Sequence, residues 1–98
     1  MPLLNRQSLT DEIAWLADER LPARAAATES YPVRFDHCFR RIAYDTATGQ
    51  EWDEAASRPF YRNATRPQLL RAARALRVMA ASPAACRAWN RESIGYRT

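Results

Sequence analysis

The feature that most constrains this chain is the spacing of its apolar residues. They recur every three or four positions in four segments, and nowhere do they alternate over a run long enough to argue for a sheet. At ~100° per residue, Phe35, Cys38, Phe39, Ile42 and Ala43 fall on one side of a helix predicted over 34–48. Asp36, His37, Arg40, Arg41, Tyr44 and Asp45 fall on the other side, and Gly49 stands where a C-terminal cap belongs. Over 66–81, Leu69, Ala72, Ala73, Leu76 and Ala80 make an inner face, with Arg71, Arg74 and Arg77 as an outer ridge. Thr65 and Gln68 form a capping box ahead of that helix, and Pro67 lies in its first turn, where a missing N–H does no harm.

Two further helices follow from the same rules. Ser82 as N-cap and Pro83 at the first helical position open one over 83–94, with Ala85, Cys86 and Trp89 inward, Arg87 and Arg91 outward, and Gly95 closing it. Thr10 as N-cap opens another over 10–21, with Ile13, Leu16, Ala17 and Leu21 in one stripe until Pro22 ends it. Trp15 falls off that stripe. A short helix is expected at 51–57 around Trp52. The expected fold is all-α, a small bundle of three to four helices with short connections, forming a single helical domain over 1–98. A flexible N-terminus over 1–8 and a connector over 22–33 complete the expected organisation.

Charge is where the two ends of the chain differ. The net charge is +4, and every basic residue is arginine, since lysine is absent. Residues 1–54 hold ten acids and six arginines, while 55–98 hold nine arginines and one acid, Glu92. Such a chain either pairs its halves internally or presents a basic face to an acidic partner. No segment approaches the ~20 apolar residues a membrane span needs, and no signal-peptide pattern is seen, so a cytoplasmic location is expected. Two cysteines are too few for a disulfide framework, and in a reducing compartment both read as packed thiols.

Motifs for chemistry are scarce. Asp36-His37-Cys38 sets a carboxylate, an imidazole and a thiol side by side, but neighbours on a helix diverge by ~100° and do not converge on one point. One histidine with scattered carboxylates has no metal-ligand spacing, so no metal and no cofactor is expected. The two glycines are far apart, which excludes a glycine-rich phosphate loop. Arginines beside rings are the stronger signal, because guanidinium stacks on aromatics and forks onto carboxylates or phosphates. His37, Arg40, Arg41 and Tyr44 on one helix, with Arg58, Tyr61 and Arg62 in a following loop, are the candidate surface for an acidic protein partner. The expected function is that of a non-enzymatic accessory or regulatory protein. The alternative is a helix-turn-helix-like nucleic-acid binder over 66–94, using Arg71, Arg74, Arg87 and Arg91. A second alternative is an enzyme, or enzyme subunit, using His37 with Asp36 or Asp45.

The run Phe35-Asp36-His37-Cys38-Phe39-Arg40-Arg41-Ile42-Ala43-Tyr44-Asp45, together with Arg58-Pro59-Phe60-Tyr61-Arg62-Asn63, resembles runs in short uncharacterised bacterial proteins, some of them labelled acetyltransferase. The resemblance covers about residues 31–98 and implies an all-helical fold; it brings no activity with it.

Overall fold

The computed structural model describes residues 5–98, and among these every regular element is a helix. Helix α1 spans Arg6–Trp15, with Asn5 rather than Thr10 as its N-cap: the Asn5 side chain accepts from the Ser8 N–H at 2.8 Å. Thr10 lies inside the helix and donates its hydroxyl back to the Gln7 carbonyl at 3.0 Å. The apolar stripe simply extends one turn further back, to a buried Leu9, and takes the start of the helix with it. Of the stretch expected to be flexible, residues 1–4 lie outside the described residues, and 5–8 belong to the cap and first turn of α1.

Pro22 does not end this helix. The chain runs from α1 through a π turn, Leu16–Arg20, into α2, Leu21–Ala27. A mid-helix proline has no N–H, and its ring meets the carbonyl four residues back. The wider turn just upstream, closed by a bond from Leu21 N–H to the Leu16 carbonyl, is the local adjustment that lets the helix continue. Much of the expected connector over 22–33 is therefore helical, and the true connector begins at Thr28, where the backbone becomes extended. Tyr31 pins that connector. Its buried hydroxyl is directed at the carbonyls of Met79 and Ala80, 2.7 and 3.2 Å away, which an ending helix leaves without partners.

Helix α3, Asp36–Thr48, stops at Gly49, whose φ of 70° is the left-handed conformation a glycine tolerates. Two one-turn helices follow, α4 (Trp52–Ala55) and α5 (Phe60–Asn63). The first is the short helix expected around Trp52, and with α5 it brings the fold beyond the expected three to four helices. Helix α6, Arg66–Ala81, carries the Thr65–Gln68 capping box, and α7, Pro83–Tyr96, is capped by Ser82, whose hydroxyl accepts from Ala85 N–H at 3.1 Å. Gly95 does not close α7, which runs through it to Tyr96.

Helix α6 is the hub of the packing. It presses on both α3 and α1, and α7 closes over α3 and α6. Ala72, Ala73 and Ala75 are buried along it, and small side chains there let neighbouring helices come close. Around them Leu9, Ile13, Phe39, Ile42, Leu76 and Met79 form one core. The radius of gyration, 12.6 Å, is close to the ~13 Å of a compact 100-residue fold. Among the described residues, no helix is long and apolar enough to cross a membrane.

Candidate anion-binding recess

Helical spacing puts His37, Arg40, Arg41 and Tyr44 on neighbouring positions of α3, at i, i+3, i+4 and i+7. The sequence places Tyr44 and Asp45 on the outer, solvated side of this helix, and the structure corrects that: both are buried. Periodicity cannot tell what returns to cover a face. Here residues 50–64 fold back over Tyr44, while the end of α7 covers Asp45.

The ring of Phe60 lies on that of Tyr44, with centroids 3.9 Å apart and planes 17° apart. Trp52 meets both edge-on, at 5.5 and 5.7 Å. Arg58 lies over the outer face of Trp52, 4.8 Å from the ring centroid, and also donates to Asp53 at 2.8 Å. This bond holds the Asp53 carboxyl below its ordinary range. The aromatic cluster therefore brings a third arginine beside the two of α3.

A fourth arrives from the chain end through Asp45. That carboxylate accepts from the Trp52 backbone N–H at 2.9 Å and from the Ser93 hydroxyl, and it receives Arg97 at 2.9 and 3.1 Å. The Arg97 guanidinium is held charged above its usual range by these bonds and also reaches Glu51 at 3.3 Å.

These side chains surround a recess of about 330 Å³. Its lining holds the guanidiniums of Arg40, Arg41, Arg58 and Arg97 together with His37, Tyr44 and Trp52, and no carboxylate. The acids stand behind the arginines. Asp18 takes a forked bond from Arg40 at 2.9 and 3.0 Å, and the Tyr44 hydroxyl accepts from the same guanidinium at 2.9 Å. Burial works against the charge of Arg40, but Tyr44 and Asp18 outweigh it and raise its pKa. Tyr44 is itself pushed up by burial, with Arg40 partly offsetting the rise. Arg41 differs from the rest: its partners, Ser93 Oγ at 2.6 Å and Asn90 Oδ1 at 2.8 Å, are both neutral.

The structure thus gathers five of the seven expected partner-binding residues, His37, Arg40, Arg41, Tyr44 and Arg58, around one concavity. Tyr61 and Arg62 are exposed elsewhere on α5. Phe60 turns inward, which rotates its two successors away, and Tyr61 faces a hollow beside Thr10 and Ala14, on the other side of Arg40 from the recess. Trp52 and Arg97 are the contributors that sequence reasoning missed. Trp52 was legible as an anchor, whereas Arg97 carries no signal, because only the buried Asp45 brings it in. Phe35, expected inward, is 63% exposed as the N-cap residue of α3 and stacks parallel to His37 at 6.0 Å.

The other candidate residues do not converge. Arg71 and Arg74 of α6 line a groove against Trp89. Arg87 and Arg91 lie ~160° around α7 from Trp89, and Arg87 donates to the Ser30 carbonyl at 2.7 Å. His37 Nδ1 is 3.6 Å from Asp36 with both side chains largely exposed, and the oxygens of Asp45 are occupied by Trp52, Ser93 and Arg97. Cys86 is fully buried, and burial pushes its thiol up to about 11, the reverse of what a nucleophile needs. Among the described residues, no three His, Cys, Asp or Glu side chains are placed to hold a metal ion. The chain matches no family model, no curated protein and no solved structure.

Proposed function

We propose that this is a small accessory or regulatory protein of the cytoplasm that binds an acidic partner protein in the arginine-lined recess of α3. One observation carries the reading: four guanidiniums and an imidazole line a single concavity with no acid among them, and Arg41 has only neutral partners. A guanidinium fork meets a carboxylate with two parallel, charge-assisted bonds, and fixed arginines lose little freedom in forming them. Trp52 and Tyr44 supply a rigid aromatic wall for the stem of an incoming Glu or Asp side chain.

The test is a titration with a Glu/Asp-rich peptide and its Gln/Asn counterpart, followed by backbone NMR at two salt concentrations. Binding of the acidic peptide alone is expected, centred on α3 and residues 52–58 and weakened by salt. Arg58→Ala and His37→Ala, at exposed positions where folding is little affected, lower the affinity about tenfold between them. No response at low salt, or equal binding of the two peptides, overturns the proposal. Tighter binding of duplex or single-stranded DNA in the same titration moves the assignment to nucleic acid.

A further inference from the structure

A second concavity lies on the other side of α3, where α3, α6 and α7 meet, and shares no residue with the arginine recess. It measures about 340 Å³. Ala47 and Ala75 are too small to fill the space between their helices, so the gap is walled by Val78 and the half-buried ring of Trp89. Apolar surface dominates the walls, and Arg71, Arg74 and Thr46 bring polar groups into the lining. Arg77, the third arginine of the same ridge, is engaged by Glu12 at 2.8 Å. Arg71 and Arg74 have no ion pair or hydrogen bond among the described residues, and neither has the Thr46 hydroxyl. Their i, i+3 spacing sets both guanidiniums on the same side of α6 above the groove.

Concave and mainly apolar, with a few polar groups among its lining residues: this is how sites for small molecules are built. We propose that the groove binds an amphiphilic carboxylate, a compact alkyl or aryl-alkyl body seated against Trp89 and Val78 with its head held by Arg71 and Arg74. The volume is at the low end of the ~300–1,000 Å³ range of ligand sites, which fits a medium-length chain or one ring rather than a long lipid. Cationic and uncharged amphiphiles of the same shape are disfavoured, because they leave the two arginines unmatched or repelled.

The experiment titrates the whole chain with octanoate and 4-phenylbutyrate below their aggregation range, beside octanol and octylammonium, following the indole N–H resonances of the three tryptophans. The expected result is saturable binding of both carboxylates that shifts Trp89 before Trp15 or Trp52, with octanol and octylammonium at least about tenfold weaker. The exposed pair Arg71→Gln/Arg74→Gln, checked for folding by circular dichroism, weakens octanoate about tenfold or more and leaves octanol unchanged. Val78→Trp fills the groove and abolishes both. Equal binding of octanol and octanoate, full affinity in the double arginine variant, or shifts that bypass Trp89 each overturn the proposal.

Discussion

Asp45, buried in the last turns of α3, holds the guanidinium of Arg97 from the end of α7 through bonds of 2.9 and 3.1 Å. The same carboxylate caps the N-terminus of α4 through the Trp52 N–H, where a negative charge also suits the helix dipole. One buried acid thus fastens three elements, and removing it leaves the Ser93 hydroxyl and the Trp52 N–H without their acceptor, while Arg97 keeps Glu51. A buried donor left without its acceptor costs about 1–3 kcal/mol. Asp45→Ala, which leaves two such donors, is therefore expected to lower the melting temperature by at least about 8 °C, taking ~4 °C per kcal/mol for a domain of this size. Arg97→Ala leaves the fully buried carboxylate with only the neutral donors Ser93 and Trp52 and no counter-charge, and is expected to cost at least as much. Thermal unfolding of both variants decides the matter, and a melting point for Asp45→Ala within about 3 °C of the parent removes the fastening role.

The starts of the helices give a prediction that separates two readings of the same sequence. Asn5 accepts from Ser8 N–H, whereas Thr10 donates to a carbonyl within the helix. Asn5→Ala is expected to cost about 1 kcal/mol and Thr10→Ala less than about 0.5 kcal/mol. Thr65→Ala, which breaks the capping box of α6, is the positive control at about 1 kcal/mol. Urea midpoints measure all three, and a reversed order for Asn5 and Thr10 contradicts the observed start of α1.

Helix α6 was legible to the residue because its signals are local: a capping box, a proline in the first turn and an unbroken apolar face. The face of α3 that carries His37, Arg40 and Arg41 was legible for the same reason. What helical periodicity could not reveal was long-range. Tyr44 looks solvated until Phe60 and Trp52 fold over it, and Arg97 looks like a loose end until Asp45 is known to be buried. Pro22 reads as a stop because the π turn that accommodates it has no sequence signature of its own.

The two cysteines are expected to behave differently. Cys86 is fully buried and Cys38 only partly, so a thiol reagent should modify one thiol in the native protein and both after denaturation. Burial raises the Cys86 thiol from 9.0 to about 11. A folded-state pKa above the unfolded value means that the stability is complete below about pH 9 and falls as pH rises towards 11. The decline due to Cys86 is on the order of 2 kcal/mol, and Cys86→Val should reduce the alkaline loss, leaving the part that Tyr44, also pushed up by burial, contributes. Two fast thiols in native protein, or an alkaline decline unchanged in that variant, contradict this placement.

The Tyr44–Phe60–Trp52 cluster separates what a ring does from what a hydroxyl does. Phe60 is 2% exposed and is the side chain by which the 50–64 segment grips α3. Phe60→Ala removes the stack and leaves a cavity, at an expected cost of about 3–5 kcal/mol. Tyr44→Phe keeps the stack and removes only the group that accepts from Arg40, which retains its fork onto Asp18; the expected cost is about 1 kcal/mol. Because Phe60 also positions Trp52 and, through it, Arg58, its loss should weaken binding of an acidic peptide even at a temperature where the variant remains folded. Tyr44→Phe should leave that binding nearly intact, since all four arginines keep their places around the recess. Urea unfolding and peptide titration on the two variants test both halves of the argument. If the hydroxyl costs as much as the ring, the Asp18–Arg40–Tyr44 bonds matter as much to the fold as the aromatic packing of the segment on Tyr44.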